Sequence, residues 1–236
     1  MLRARDYRQK AREALSGNWG TAIGTGFAVQ AINFILVLIV YMVLLANASL
    51  QITGDMSYTD YPQVIISPKG YLEYMLALIV VQFVMYALLV GYLYFNVNLV
   101  RRESFQFNNV FSRFNIILKI FGLYFMMGLF ILLWSFLFVI PGIIASFRYC
   151  MAPYIMADNP EIGIMDAIRE SKEMMNGYKW KYFCLQFSFI GWALLSIVTF
   201  GIGLLWVMPY MQAANAAFYV QVSGQNTTYE YSLDDE

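Results

Sequence analysis

Residues Ile120–Ile140 read IFGLYFMMGLFILLWSFLFVI, 21 residues without a single charged side chain. About 20 consecutive apolar residues suffice for a helix to cross a hydrocarbon core roughly 30 Å thick. Upstream, Thr21–Ala46 and Tyr71–Val97 have the same character, and downstream so do Tyr182–Phe200 and Leu204–Val222. The composition agrees: 60% of the 236 residues are hydrophobic and 13% charged, against about 45–50% and about 25% in a soluble domain. The reading is an all-α, polytopic transmembrane bundle forming one integral membrane domain over residues 1–236.

Ile143–Ala157 is the doubtful segment. It follows Pro141-Gly142, read as a turn at the outer face, and it holds Arg148 and Pro153. Its fifteen residues reach only about 22 Å. Charge decides whether it crosses. With six spans, both termini and the stretches Asn98–Lys119 and Asp158–Lys181 share one side, which then holds all of the 15 Lys and Arg except Lys69 and Arg148. Five spans would move Arg169, Lys172, Lys179 and Lys181 outside, against the positive-inside rule. Six spans with both termini cytoplasmic is therefore expected. The first apolar segment exceeds the 7–15 residues of a signal-peptide core and is read as a retained span.

Asn47–Gly70, with Gly54, Asp55, Asp60, Pro62 and Pro68, reads as an exposed outer loop. Two amphipathic helices are expected on the cytoplasmic side. Over residues 3–16, Ala4, Tyr7, Ala11, Ala14 and Leu15 form one apolar stripe on a strongly basic helix, the pattern of a segment lying in the membrane interface. That helix either orients the first span or also senses anionic lipid. Over residues 160–176, Asn159 is placed to cap, Pro160 to start and Glu161 to complement the helix dipole. Ile164, Met165, Ile168, Ser171 and Met175 share its apolar face.

The two helices resemble one another. Ala11-Arg-Glu-Ala-Leu-Ser-Gly17 aligns with Ser171-Lys-Glu-Met-Met-Asn-Gly177, each followed by a tryptophan, Trp19 or Trp180. Trp134 precedes Pro141-Gly142, and Trp192 precedes Gly201. Pro153-Tyr154 and Pro209-Tyr210 follow. Three repeated units are inferred, each a cytoplasmic helix and a membrane hairpin, the middle one starting near Phe105–Phe114.

Several motifs taken together resemble a known family: Ala-Arg-Glu-Ala-Leu-Ser-Gly-Asn-Trp at 11–19, Ile-Pro-Gly-Ile-Ile-Ala-Ser-Phe-Arg-Tyr at 140–149 and Ala-Pro-Tyr-Ile-Met-Ala-Asp at 152–158. To these are added Asp-Ala-Ile-Arg-Glu-Ser-Lys-Glu-Met-Met-Asn-Gly at 166–177 and Phe-Ser-Phe-Ile-Gly-Trp-Ala-Leu-Leu at 187–195. The chain is similar to the integral membrane proteins grouped as domain of unknown function 975, found mainly in Gram-positive bacteria. The resemblance implies a bacterial plasma-membrane location and a six-helix body, with no established activity and no assigned site residues. More distantly it resembles the membrane domains fused to some glycerophosphodiester phosphodiesterases, whose active site lies in a domain without a counterpart here.

The residues offer little chemistry. There is no histidine, so the commonest general base and metal ligand is missing. No CxxC and no glycine-rich phosphate loop is present, and no cofactor or metal is expected. Cys150 and Cys184 are placed at different depths and are expected to stay free thiols. The basic N-terminal helix reads as a topology signal, with no nucleic acid as partner.

Arg148 is the sharpest candidate, because an ionisable group within a span is costly. It is read as a structural ion pair with Glu73 near the outer leaflet, as a side chain snorkelling to lipid phosphate, or as a ligand contact. Gln82, Gln186, Gln212 and Asn215, with Gln30, Asn33, Asn96 and Ser188, are the polar residues within spans. They act as packing glue unless several converge on one cavity. The leading expectation is a non-enzymatic integral membrane protein acting in envelope homeostasis or as a membrane-protein partner. The alternative is a small carrier or lipid-handling protein using the repeat interface.

Overall fold

The computed structural model describes residues 3–46, 48–51, 63–199 and 201–224. Among these residues there are nine α-helices: α1 (Ala4–Leu15), α2 (Trp19–Ala46), α3 (Pro68–Arg101), α4 (Ile117–Leu137), α5 (Val139–Tyr149), α6 (Ala152–Asp158), α7 (Ile164–Met174), α8 (Lys179–Val198) and α9 (Leu204–Val222). One antiparallel ladder joins β1 (Ala48–Gln51) to β2 (Gln63–Ile66), with Ala48 opposite Ile66. The expected loop thus carries a strand pair at its base, while Gly54, Asp55, Asp60 and Pro62 lie outside the described residues. Among the described residues, four helical stretches are long and apolar enough to cross a membrane: Trp19–Ala46, Pro68–Arg101, Phe107–Leu137 and Val139–Asp158.

α3 is the central helix. Ser67 caps it, its Oγ accepting the Gly70 N–H at 3.1 Å, and Pro68 occupies the first helical position. Pro68 and Gly70 therefore start a helix where the sequence reads a loop. From Ala87 to Leu99 α3 is buried almost continuously against α9, α6 and the 3₁₀ stretch Phe107–Phe111. Gly91 permits that last contact, since a Cβ there would overlap the Val110 carbonyl. Tyr86 and Tyr124 stack with centroids 4.3 Å apart and join α3 to α4.

The turn between α4 and α5 corrects the expected one. Phe138, extended at φ −163° and ψ 153°, reverses the chain, whereas Pro141 and Gly142 lie in the first turn of α5. A proline is tolerated there, so it starts a helix rather than breaking one. The doubtful segment gains length as a result. Val139–Asp158 comprises 20 residues, interrupted at Cys150-Met151 between α5 and α6.

Both amphipathic helices depart from expectation. The stripe of α1 does not face a membrane interface. Tyr7, Ala11, Ala14 and Leu15 are buried in the protein core, chiefly against α9, with Tyr7 on Phe218 at 5.1 Å. Burial, with smaller contributions from Tyr178 and Asp6, pushes the Tyr7 phenol up to about 12 and keeps it neutral. Lys10 Nζ donates to Gln221 Oε1 at 2.9 Å, fixing the pairing.

α7 begins at Ile164 rather than at Pro160. Asn159 closes α6, and its Oδ1 accepts the Glu161 N–H within the connecting turn at 3.2 Å. Ala167, Ile168, Ser171 and Met175 form the buried face, while Met165 is 52% exposed. Where the sequence reads the start of a middle unit, near Phe105–Phe114, the structure has two 3₁₀ stretches, Phe107–Phe111 and Phe114–Ile116, and no amphipathic α-helix.

Burial is uneven along the bundle. Large apolar side chains are exposed along α2 (Phe34, Ile35, Met42), the start of α3 (Tyr71, Leu72) and the α4–α5 turn (Phe136, Phe138, Ile140). The opposite ends, with α1, α6 and α7, form the packed core. An apolar surface this wide is compatible with lipid around the helices.

Candidate functional site

The structure separates the two residues expected to pair. Glu73 lies one helical turn from Lys69, with Nζ···Oε1 at 3.9 Å, near the start of α3. Arg148 sits at the other end of α5, where its carbonyl oxygen accepts the Ser171 Oγ–H of α7 at 2.9 Å. No ion pair or hydrogen bond joins Arg148 to Glu73. The reason is the misplaced turn. Counted from Phe138, Arg148 is ten residues, about 15 Å, along the helix axis, instead of about 9 Å from Pro141-Gly142. Its Nε is enclosed without a hydrogen-bond partner.

Two of the polar candidates serve as glue. Gln186 Nε2 donates to Asn215 Oδ1 at 2.7 Å, tying α8 to α9. Asn96 donates to the Tyr92 carbonyl on its own helix, and Ser188 to that of Leu185. Gln82 is half-buried on α3. Cys150 and Cys184 are free.

Gln212 belongs to a different arrangement. With Gln30 and Asn33 it lines a recess of about 210 Å³ between α2, α3 and α9. Tyr92 of α3 closes one side, and Gly26 of α2 gives it room: a Cβ there would stand 2.9 Å from the Tyr92 oxygen. The mouth is apolar, with Phe27 61% exposed and Leu205 40% exposed. Among the described residues, the three carboxamides make one hydrogen bond to protein, a long one from Gln30 Nε2 to Met208 Sδ at 4.0 Å. Asn33 Oδ1 is enclosed and unpartnered. Pro209, inside α9, has no N–H for the Leu205 carbonyl. Convergence of Gln30, Asn33 and Gln212 is what the sequence could not supply, because it depends on how α2 leans on α9. Among the described residues, no charged side chain lines the recess.

A second polar cluster was missed altogether. Arg101, at the end of α3, grips Asp158, at the end of α6, through two bonds of 2.7 and 2.6 Å. Tyr219 donates to Asp158 Oδ2 at 3.0 Å. Arg113 Nε donates to the Ala157 carbonyl at 2.7 Å and lies over the Tyr94 ring, while Lys119 donates to the Pro160 carbonyl at 3.1 Å. Cations thus collect at the carbonyl end of α6, where the helix dipole favours them. In the sequence these residues counted only as topology charges. The available signal was Asp158, a lone acid closing an apolar segment.

No curated protein and no solved structure matches the chain. The family described as Protein of unknown function (DUF975) matches over residues 1–145 and 136–226, and the chain belongs to that family.

Proposed function

We propose that this chain is a non-enzymatic integral protein of a bacterial plasma membrane, with six spans and both termini cytoplasmic, that handles lipid through the recess between α2, α3 and α9. The observation that carries the lipid-handling reading is the convergence of Gln30, Asn33 and Gln212 on one recess whose mouth is flanked by exposed apolar side chains. Polar groups that serve only as glue find each other, as Gln186 and Asn215 do; these three do not. The recess favours this role over a part in envelope homeostasis or service as a membrane-protein partner.

The six-span reading adds α8 and α9 to the four apolar stretches on length alone: their 20 and 19 residues extend about 30 and 28 Å. Repetition of units draws support from burial. Ala11 and Ser171, Leu15 and Met175, Ala22 and Tyr182, and Val29 and Phe189 stand at one constant spacing in the sequence, and all are buried. Gly17 and Gly177 keep the same spacing and share φ of +81° and +79°. The α4–α5 and α8–α9 hairpins share a further device: Gly142 packs on Ser135, and Gly203 on Ser196, seven residues earlier in both cases.

Photoactivatable fatty acid fed to cells producing the protein tests the lipid-handling role. Cross-links are expected to concentrate on peptides holding Phe27 and Leu205. Cross-links spread evenly over all exposed apolar residues would overturn it.

A further inference from the structure

Resting on the lipid-handling reading, we infer that the recess selects an uncharged lipid alcohol, a single-chain amphiphile whose hydroxyl-bearing head enters among Gln30, Asn33 and Gln212. Three features define the class. First, the lining has no ionic partner, so a phosphate or carboxylate head would be stripped of water without compensation. Second, the walls offer hydrogen bonds from carboxamides, which both donate and accept. Asn33 Oδ1 lacks a donor, and Pro209 leaves the Leu205 carbonyl without its helical one. Acceptors thus stand unmet beside the amide N–H groups of Asn33 and Gln212, which have no acceptor among the described residues either; a hydroxyl both donates and accepts and answers both, whereas an ester only accepts. Third, about 210 Å³ is below the roughly 300–1,000 Å³ of sites that enclose a whole drug-sized ligand. It suits a small head, with the chain leaving past Phe27 and Leu205 into the bilayer.

The arrangement also predicts how the empty protein responds to substitution. An amide without a partner in apolar surroundings is unfavourable, so Asn33→Leu and Gln212→Leu leave the fold at least as stable as before. Removing Gln186 instead strands Asn215 and weakens the fold without touching the recess.

The test uses the full chain in micelles of lauryldimethylamine oxide, a detergent without a hydroxyl, and three probes with the same chain: 1-monooleoylglycerol, methyl oleate and oleate. A ligand that binds only the folded state raises the melting temperature. The expected result is a rise with 1-monooleoylglycerol at least three times that with either other probe. Asn33→Leu and Gln212→Leu should abolish this rise, while Gln186→Leu should lower the starting melting temperature and keep the rise. Equal rises with methyl oleate or oleate, lost in Asn33→Leu, would overturn the alcohol class and leave the recess as a lipid site. Rises unaffected by Asn33→Leu and Gln212→Leu, or no rise with any probe, would overturn the recess as well.

Discussion

Ser171 of α7 bridges the break between α5 and α6 by donating to the Arg148 carbonyl at 2.9 Å while accepting the Met151 N–H at 3.2 Å. Its side chain is fully buried. One hydroxyl thus satisfies two backbone groups that the helix interruption would otherwise orphan. Ser171→Ala leaves both unpaired in the core, at a cost of about 1–3 kcal/mol. Thermal unfolding in detergent should show a clear loss for Ser171→Ala and a much smaller one for Ser188→Ala, whose hydroxyl bonds within its own helix.

The Arg101–Asp158 pair should dominate the stability of the packed end. Its side chains are 12% and 15% exposed, so removing one leaves the other poorly solvated. Arg101→Ala and Asp158→Ala should each cost roughly 3–5 kcal/mol, and the double variant far less than their sum. Arg101→Lys should recover only part of the loss, because an ammonium cannot form the two-pronged contact. A chemical-denaturation double-mutant cycle measures this, and additive losses would contradict the geometry.

Arg148 and Glu73, by contrast, should behave independently. Glu73 lies beside Lys69, and Arg148 is held at the α7 end of α5. Losses for Arg148→Ala and Glu73→Ala should add within about 0.5 kcal/mol. Coupling above that in the same denaturation cycle would mean that the two side chains meet.

What the sequence made legible follows from the range of each signal. Apolar runs are local, so the helices at Thr21–Ala46, Ile120–Ile140 and Leu204–Val222 were found within three residues at each end. Periodicity identified Tyr7, Ala11 and Leu15 as one stripe but not what covers it, since a stripe suits a membrane surface and a protein core equally. Proline misled because it marks both turns and first helical turns. Pro68 starts α3 and Pro141 lies in the first turn of α5, both helices beginning before the points the apolar runs suggest. The recess and the Arg101–Asp158 pair join residues distant in the chain, and no spacing rule reaches that far.

Gly17 and Gly177 offer a test of equivalence between the first and last units. Each takes a left-handed conformation with open space where a Cβ would project. Alanine there suffers from backbone strain alone, about 1 kcal/mol. Gly17→Ala and Gly177→Ala should therefore lower the melting temperature by similar amounts. A loss at one site and none at the other would argue against a shared role for the two turns.

The topology decides whether α7 and the basic residues around it face the cytoplasm. Lys69 stands at the start of α3 beside the loop that six spans place outside, and its side chain is 86% exposed. Lys172 is exposed on α7. Cysteine introduced at each position, after replacement of Cys150 and Cys184 by serine, reports its side through a membrane-impermeant maleimide applied to intact cells. The six-span arrangement expects Lys69→Cys to react at once and Lys172→Cys only after the cells are permeabilised. The five-span alternative, in which α5 and α6 fail to cross, exchanges the side of Lys172 but not that of Lys69, so the pair separates the two arrangements. Both native thiols are partly buried and neither forms a disulfide, so their replacement should leave the bundle intact. Thermal unfolding of the cysteine-free protein checks that point first. Reaction of Lys172→Cys in intact cells would remove α6 from the list of spans and place Arg169, Lys179 and Lys181 outside with it, against the charge asymmetry on which the topology rests.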